Sequence, residues 1–405
     1  MTRPRVRWLA PFAQKTGYAQ ATHDYLMALH RHGKVDLDVV PIVDADSDDL
    51  DVFYRELLPL VGDLNKAGPN WPTHIVVHTP PKFAPEFVTG DMTLRPGVAK
   101  ICLTTWECDR LLERDADRLG VFHKVIVPSQ HNADAFSDVP SEIEVIPHTY
   151  DPNFWHLPIP KKLAARKSYG IRVNEEVSSV GRRYVFYSIG AWAERKNPIG
   201  LLKAYLAEFR ESDPVELLMH STHINRDDFK ALVQAMGIQD PPRVLLSEHH
   251  YSMEEVRDFI HQSSDCYVSA TRGEGWGLGM FEAALVGNPV IATGWSGHLD
   301  FLCEPSVAKD LVPFQLTPAV SPEAKVSEIN IAGMKISGIA PNVPSGIRGD
   351  LYWAEPDLKY LRQALRSAFN RRWSGSAKAE WFFKSNFSYF VVGKIFGDML
   401  RNISL

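Results

Sequence analysis

Several features of membrane, secreted and nucleic-acid-binding proteins are missing from this sequence. No run approaches 18 continuous apolar residues, and the N-terminal segment MTRPRVRWLAPFAQ lacks a long apolar core, so we expect neither a membrane span nor a signal peptide. The four cysteines form no CxxC pair, which favours a reduced, cytoplasmic setting over a disulfide or zinc site. A net charge of -5 gives no support to non-specific binding of nucleic acid.

Composition indicates a globular protein of more than one domain. The chain has 405 residues, of which 45% are hydrophobic and 23% charged, so two or three domains with large cores are expected. No GxGxxG motif is present, which leaves a dehydrogenase-type dinucleotide site unsupported. Peripheral membrane contact and binding of a nucleic acid stay open, although the net charge does not favour nucleic acid.

Apolar runs alternate with helical patterns along the chain, which predicts an α/β fold with two doubly wound parallel sheets. The first half has predicted strands at residues 6–9, 35–42, 74–78, 100–104, 124–128 and 144–147. The second half has them at 184–189, 215–220, 244–247, 266–270 and 289–293. Residues 152–183 are rich in proline and charge and predict a linker. Residues 316–350 predict a long irregular loop or a small insertion. The amphipathic tail predicts a final helix, with a dimer face or a membrane-touching helix as the alternatives.

The stretch from residue 265 to residue 302 carries the strongest motif. A strand is followed by the turn Gly273-Glu274-Gly275-Trp276-Gly277 and by a helix that starts at Leu278. Glycines permit close backbone approach, and a helix N-terminus presents unpaired N–H groups, so this turn predicts a phosphate site. Carboxylates would repel a phosphate at contact distance. Glu274 and Glu282 are therefore predicted to accept hydrogen bonds from sugar hydroxyls, and the combination predicts a sugar nucleotide.

Two cations stand before another predicted helix. Arg195 and Lys196 precede Pro198, which suits the first turn of a helix, and Gly190 ends the preceding strand. Cations at such a helix N-terminus are well placed to bind a diphosphate. The alternative is that both are solvated residues of a loop.

The two glutamates, with seven residues between them, lie within EGWGLGMFEA and are followed by GNPVIAT and GHLDFL. This pattern resembles the signature of retaining GT-B glycosyltransferases of family 4, the glycosyl transferases group 1. The resemblance covers nearly the whole chain. It implies a GT-B fold, in which two Rossmann-like domains face a cleft and a C-terminal helix crosses back to the first domain. The expected bounds are residues 1–165 for the acceptor-side domain, 166–383 for the donor-nucleotide domain and 384–405 for the returning helix.

The resemblance also implies roles for individual residues. Glu274 would lie near the donor sugar and Glu282 would hold the ribose. Lys196 matches the lysine of the family, but Ala191 stands where an arginine is expected, so Arg195 is predicted to substitute for it. The catalytic candidates are thus Glu274, Lys196 and Arg195, and the donor-binding candidates are Gly17, Gly190, Gly275, Trp276, Gly277, Leu278 and Glu282.

Acceptor binding is the least specified part of the site. Many members of the family place a histidine near the loop after the fourth strand, where this chain has Trp106 and Glu107. Trp106 could stack on an acceptor and Glu107 could hold its hydroxyl, or Glu107 could pair structurally with Arg110. His148 lies near the cleft by resemblance, as an acceptor candidate or as a packed hinge residue.

The sequence therefore predicts a retaining glycosyltransferase that moves a sugar from a nucleoside diphosphate sugar to a hydroxyl of a glycan, a lipid-linked molecule or a small molecule. A UDP- or GDP-sugar is the favoured donor, with no further cofactor and no metal required. The alternatives are a glycosyltransferase acting on modified nucleic-acid bases, a sugar-nucleotide binding module, and an epimerase or phosphorylase of the same fold. A homodimer stays open.

Overall fold

The computed structural model describes residues 3–12, 16–42, 52–61, 72–88, 96–156, 183–319, 326–331, 334–339, 351–373 and 379–403. The chain divides into two compact units. The first comprises Met1–Pro152, Pro318–Tyr352 and Phe383–Leu405, and the second comprises Asn153–Thr317 and Trp353–Phe382. The acidic segment DADSDDLD, at residues 44–51, lies outside the described residues, as does most of the linker predicted at 152–183. The domain bounds expected from the sequence stay predictions.

A six-stranded sheet forms the centre of the first unit. Its strands are β1 (Arg5–Ala10), β2 (Asp36–Pro41), β3 (His74–His78), β4 (Ala99–Leu103), β5 (Lys124–Val127) and β6 (Glu142–Val145). They lie in the order β2-β1-β3-β4-β5-β6, and every neighbouring pair is parallel. Because β1, β3, β4 and β5 are nearly fully buried, their apolar runs lack the alternation of a half-exposed sheet.

Helical segments of the first unit include the last helix of the chain. The helices are Gly17–Ala28, Glu113–Leu119, Gln130–Ala135 and Tyr389–Asn402, with π or 3-10 segments at Leu29–Gly33, Val52–Leu60 and Ala84–Val88. Thr16 caps the first helix, because its side chain accepts a hydrogen bond from the amide of Ala19. Lys34, with a φ of 54°, follows the π segment. The final helix packs on both parts of this segment. Its buried face comprises Tyr389, Val392, Gly393, Phe396, Gly397, Met399 and Leu400.

A second six-stranded parallel sheet forms the centre of the second unit. Its strands are β7 (Tyr184–Ile189), β8 (Val215–His220), β9 (Arg243–Ser247), β10 (Cys266–Ser269), β11 (Val290–Thr293) and β12 (Lys309–Val312), in the order β12-β11-β10-β7-β8-β9. The prediction of two parallel sheets in an α/β fold is confirmed. The helical segments are Pro152–Trp155, Glu194–Lys196, Pro198–Glu208, Arg226–Ala235, Met253–Glu255, Val256–His261, Leu278–Leu285, Leu299–Leu302 and Leu358–Asn370. The helix Glu380–Phe387 begins in this unit and ends in the first.

The prediction of an irregular loop at residues 316–350 is partly wrong. β13 (Phe314–Pro318) pairs with β16 (Tyr352–Pro356), and β14 (Val326–Ile331) pairs antiparallel with β15 (Met334–Ile339). In β14 and β15 the backbone register sets Ile329 opposite Ile336. Branched residues separated by single polar ones favour such a pair of strands, a period that is hard to see among the surrounding glycines, serines and prolines.

Two further features concern the whole described chain. None of its described helices is long and apolar enough to cross a membrane. No disulfide joins the four cysteines, all of which the structure describes; Cys102, Cys108 and Cys266 are buried and Cys303 is exposed.

Candidate active site

A cavity opens at the carboxyl edge of the second sheet, at the point where the order of the strands reverses. β7 leads to β8 and β9 on one side, whereas β10 lies on its other side, so β7 and β10 flank the topological switch point. The space there is about 510 Å³, including the part open to solvent. Its lining comprises Ser188, Ile189, Gly190, Ala191, Trp192, Lys196, Pro198, Leu201, Met219, His220, Ser221, Tyr267, Ser269, Glu274, Gly277, Gly279 and Met280.

The three residues predicted to be catalytic contact one another at this edge of the sheet, and Lys196 and Glu274 line the cavity. Lys196 Nζ lies 2.6 Å and 2.7 Å from the two carboxylate oxygens of Glu274, and Arg195 contacts one of them at 3.3 Å. Arg195 also donates to the carbonyl of Gly273. The cations are held there by a short 3-10 turn, Glu194–Lys196, that ends at Asn197 in the left-handed conformation. Asn197 then caps the helix Pro198–Glu208, and Pro198 occupies its first turn, as the sequence predicted.

Glu274 is an ionised carboxylate in a buried place. Burial by itself would raise its pKa, but the charges of Lys196 and Arg195 outweigh that effect and lower the pKa to about 2. One carboxylate thus offsets part of the charge of two cations. The cluster retains a net positive charge next to the N-terminus of Pro198–Glu208, which is the arrangement that attracts an anion.

The glycines of the turn are required by its geometry. Gly277 has a φ of 89°, and a Cβ there would lie 2.6 Å from Met280 Cε. A Cβ on Gly279 would lie 2.5 Å from the hydroxyl oxygen of Tyr267. Both positions line the cavity, and side chains of the protein pack directly against the backbone there at the start of the helix Leu278–Leu285.

Glu282 lies further along that helix, and the described cavity lining does not include it. Its carboxylate is 5% exposed and lies 3.1 Å from His261 Nε2. The other ring nitrogen of His261 lies 2.9 Å from the hydroxyl of Tyr187, which accepts a hydrogen bond from Asn288. Because Asn288 donates to that hydroxyl, Tyr187 can donate to His261 Nδ1 and leave a proton on Nε2 for Glu282.

The remaining donor-site candidates have different surroundings. Trp276 is 3% exposed and packs against Phe281 and Phe301, with ring centroids 5.4 and 5.1 Å away, so its ring is part of the core. Gly275 belongs to the same turn, and Leu278 begins the helix. Gly17 begins the first helix of the first unit, where it is exposed.

Solved structures share this architecture from end to end. HepE of Anabaena in complex with UDP aligns with a TM-score of 0.66 and 13% identity, over 98% of this chain and 100% of that one. Sucrose-phosphate synthase of Thermosynechococcus elongatus aligns with a TM-score of 0.64 and 14% identity, over 98% of each chain. A glycosyltransferase of Rickettsia africae aligns with a TM-score of 0.62 and 14% identity, over the full length of both chains. The chain has the GT-B fold. No protein-family model matches the sequence, and a search of curated proteins finds no significant match.

In the first GT-B unit, the three acceptor candidates lie within or beside the core. Trp106 donates its indole N–H to the carbonyl of Arg110 at 2.6 Å, while Arg110 pairs with Asp109 at 3.2 Å. His148 is buried, with its ring 5.3 Å from that of Tyr25, and burial lowers its pKa to about 3. Glu107 is half-buried and contributes to raising the pKa of Tyr18, an effect due mainly to burial of the phenol.

A histidine that the sequence analysis missed lies at the switch point of the first sheet. His78 ends β3, which neighbours β1, and its Nδ1 lies 2.8 Å from the hydroxyl of Thr22. That hydroxyl donates to the carbonyl of Tyr18, so a neutral His78 donates through Nδ1 and keeps Nε2 as an acceptor. Burial, with a contribution from His148, lowers its pKa well below the usual value. The signal in the sequence was a polar residue at the end of a predicted strand.

The ion pairs of Glu274 predict a specific dependence of stability on pH. Because its pKa falls from 4.5 to about 2 on folding, ionised Glu274 stabilises the fold above pH 4.5, and this contribution is lost as the pH drops towards 2. Relative to Glu274→Gln, the wild type should lose about 2 kcal/mol of its free energy of unfolding between pH 6 and pH 3. Urea denaturation of both proteins across this range measures the difference. A difference that does not change with pH would show that the carboxylate is not held by the cations.

Proposed function

We propose that this protein is a glycosyltransferase that transfers a sugar from a nucleoside diphosphate sugar to an acceptor hydroxyl. The observation that carries the proposal is the cluster of Lys196, Arg195 and Glu274 at the switch point of the second sheet of a GT-B fold. Two cations and a helix N-terminus can hold a diphosphate there, and a carboxylate beside them can hold the hydroxyls of the attached sugar.

We assign the donor as a UDP-sugar, with a GDP-sugar as the alternative that the first experiment must test. HepE of Anabaena has been solved with UDP and with UDP-glucose. In this chain the diphosphate would take over the contacts that Lys196 and Arg195 make with Glu274, and Glu282, oriented by His261, would accept from the ribose hydroxyls. No metal is needed in this proposal, because the two cations neutralise the leaving diphosphate.

The chemistry that we propose retains the configuration of the sugar. The bond between the anomeric carbon and the diphosphate oxygen breaks, the acceptor oxygen bonds to that carbon from the same face, and its proton passes to the leaving phosphate. Glu274 is the one carboxylate among the described residues that line the cavity, and its charge is shared with Lys196 and Arg195. Because this carboxylate is proposed to hold the sugar hydroxyls, we propose a reaction without a covalent intermediate on the enzyme.

The leaving group is stabilised by groups already in position. Lys196, Arg195 and the amides at the start of the two helices do not need to reorganise when charge develops on the diphosphate. Each such preorganised donor lowers the barrier by about 3 kcal/mol. For the acceptor we propose the carboxyl edge of the first sheet, with His78 and Glu107 as hydroxyl acceptors and Trp106 as a stacking surface. His148 would support them from the core.

A thermal-shift panel of UDP, GDP, ADP, CDP and dTDP, in EDTA and in Mg²⁺, tests the donor assignment. One diphosphate at about 100 times its Kd should stabilise the protein by about 2.7 kcal/mol, with and without metal. Lys196→Ala should abolish that shift, whereas Lys203→Ala, at an exposed position of the following helix Pro198–Glu208, should keep it.

Incubation of the selected sugar nucleotide with acceptor mixtures, followed by NMR of the anomeric signal, then tests the reaction. Transfer with retained configuration is expected. Absence of a shift with every diphosphate would refute the proposal. Binding without turnover would favour a sugar-nucleotide binding module, and conversion of the sugar nucleotide without an acceptor would favour an epimerase.

A further inference from the structure

Glu274 is fastened by a closed circuit of hydrogen bonds that starts at its own amide and returns to its own carboxylate. The amide donates to Ser296 Oγ at 2.9 Å, and Ser296 Oγ lies 3.4 Å from His298 Nδ1. His298 Nε2 lies 2.7 Å from the carbonyl of Thr293. Thr293 then donates to the carbonyl of Thr271 at 2.6 Å, and Thr271 donates to Glu274 Oε1 at 3.0 Å. All five residues are buried.

The direction of each hydrogen bond in this circuit follows from its ends. The carbonyl of Thr293 can only accept, so His298 carries a proton on Nε2. Burial lowers the pKa of His298, which keeps the ring neutral and leaves Nδ1 as an acceptor. Ser296 accepts from the amide of Glu274 and therefore has its own proton available for His298. The neutral histidine thus orients the serine, and the serine holds the backbone of Glu274.

The backbone of Ser296 indicates that this arrangement is maintained against strain. Its φ is 90°, in the region that favours glycine, and it is 3% exposed. A glycine would relieve that strain, but it would remove the hydroxyl that the amide of Glu274 contacts. The amide of Gly297, the next residue, donates to the carbonyl of Glu274 at 2.9 Å. The loop therefore forms hydrogen bonds with both the amide and the carbonyl of Glu274. Strain of this kind is characteristic of sites where geometry serves function.

We propose that Ser296 and His298 are positioning residues that hold Glu274 in the orientation needed to bind the donor sugar. Ser296 is then kept in a strained conformation because its hydroxyl is required there. This inference rests on the proposed function, in which Glu274 contacts the sugar and the cations contact the diphosphate. It predicts that activity falls without a matching loss of stability when the serine becomes glycine.

Ser296→Gly tests the proposal with UDP and UDP-glucose, and with GDP and GDP-mannose as the second pair of probes. The variant should melt within a few degrees of the wild type, because relief of the backbone strain offsets the loss of the hydrogen bond from the Glu274 amide. Its affinity for the free diphosphate should stay within about twofold, since Lys196 and Arg195 are unchanged. The release of diphosphate from the sugar nucleotide should fall at least about tenfold, as expected for a displaced catalytic group.

Lys34→Gly is the matched control. Lys34 is an exposed residue of the first unit with a φ of 54°, so its replacement relieves the same type of strain away from the cavity. It should raise the melting temperature without changing turnover. For the histidine, His298→Asn keeps an acceptor near the position of Nδ1 and should retain more turnover than His298→Ala.

The outcomes separate this inference from the proposed function. If Ser296→Gly keeps turnover within twofold of the wild type, the positioning role is wrong. The same holds if its melting temperature, diphosphate affinity and turnover all fall together, because the serine would then be merely structural. A wild type that binds no diphosphate and releases none would remove the proposed function, and this inference with it.

Discussion

Replacing Glu274 with glutamine is expected to strengthen the binding of free UDP while abolishing most of the turnover of UDP-sugar. In the wild type both carboxylate oxygens contact Lys196, at 2.6 and 2.7 Å, and one contacts Arg195. A diphosphate must compete for these cations. A hydrogen bond to a charged group contributes about 1.5–3 kcal/mol, so removal of the competing charge should lower the Kd of UDP about tenfold or more.

Turnover should fall because the same carboxylate is proposed to hold the sugar. We expect a loss of at least about 100-fold in kcat with the sugar nucleotide, a typical cost of removing a group that orients a substrate. Isothermal titration with UDP and an assay of UDP release measure the two effects. Because they have opposite signs, a general loss of folding cannot produce both.

Glu216→Gln is the control for this experiment. Glu216 is also a buried glutamate of the second unit, paired with Arg243 at 2.5 Å, but it lies on β8 away from the described cavity lining. It should leave UDP affinity unchanged. Weaker UDP binding in Glu274→Gln would mean that the carboxylate organises the cations for the diphosphate, and the proposed division of labour would be wrong.

Gly397→Ala and Gly393→Ala are expected to have the largest effects on stability. The final helix packs closely on Leu29–Gly33, and a Cβ on Gly397 would overlap the carbonyl oxygen of Gly33. A Cβ on Gly393 would overlap the carbonyl oxygen of Ala28. Backbone atoms cannot move aside as a flexible side chain can, so the helix must shift. Each change should cost about 3 kcal/mol, the upper part of the range for overpacked cores.

The loss should come from displacement of the final helix, which has other ties to the first unit. Tyr389 donates to the buried carboxylate of Asp24, and Arg401 donates to the carbonyl of Gly33 at 2.7 Å. Urea denaturation with circular dichroism measures the free energy of unfolding, and hydrogen exchange locates the loosened helix. Lys394→Ala, at an exposed position of the same helix, should change stability by less than about 0.5 kcal/mol. Wild-type stability in Gly397→Ala would contradict the observed packing.

Local signals in the sequence were sufficient for most of the fold. The strands at 74–78, 184–189 and 215–220 have the predicted bounds, because continuous apolar runs of this length suit a parallel sheet buried on both faces. Pro198 marked the start of its helix, because the preference of proline for the first helical turn depends only on neighbours along the chain. The β14–β15 pair was missed because its alternation is short and surrounded by turn residues.

The sequence by itself also determined which residue types stand at the cavity. Glycines, two cations and Glu274 follow strands whose carboxyl ends meet at one edge, so a parallel sheet brings them together. Only the tertiary structure decided how they pair. The mutual contact of Lys196, Arg195 and Glu274 joins positions 78 and 79 residues apart. Burial of Trp276, the His261–Glu282 contact and the strain at Ser296 likewise depend on packing between distant segments, which local patterns do not encode.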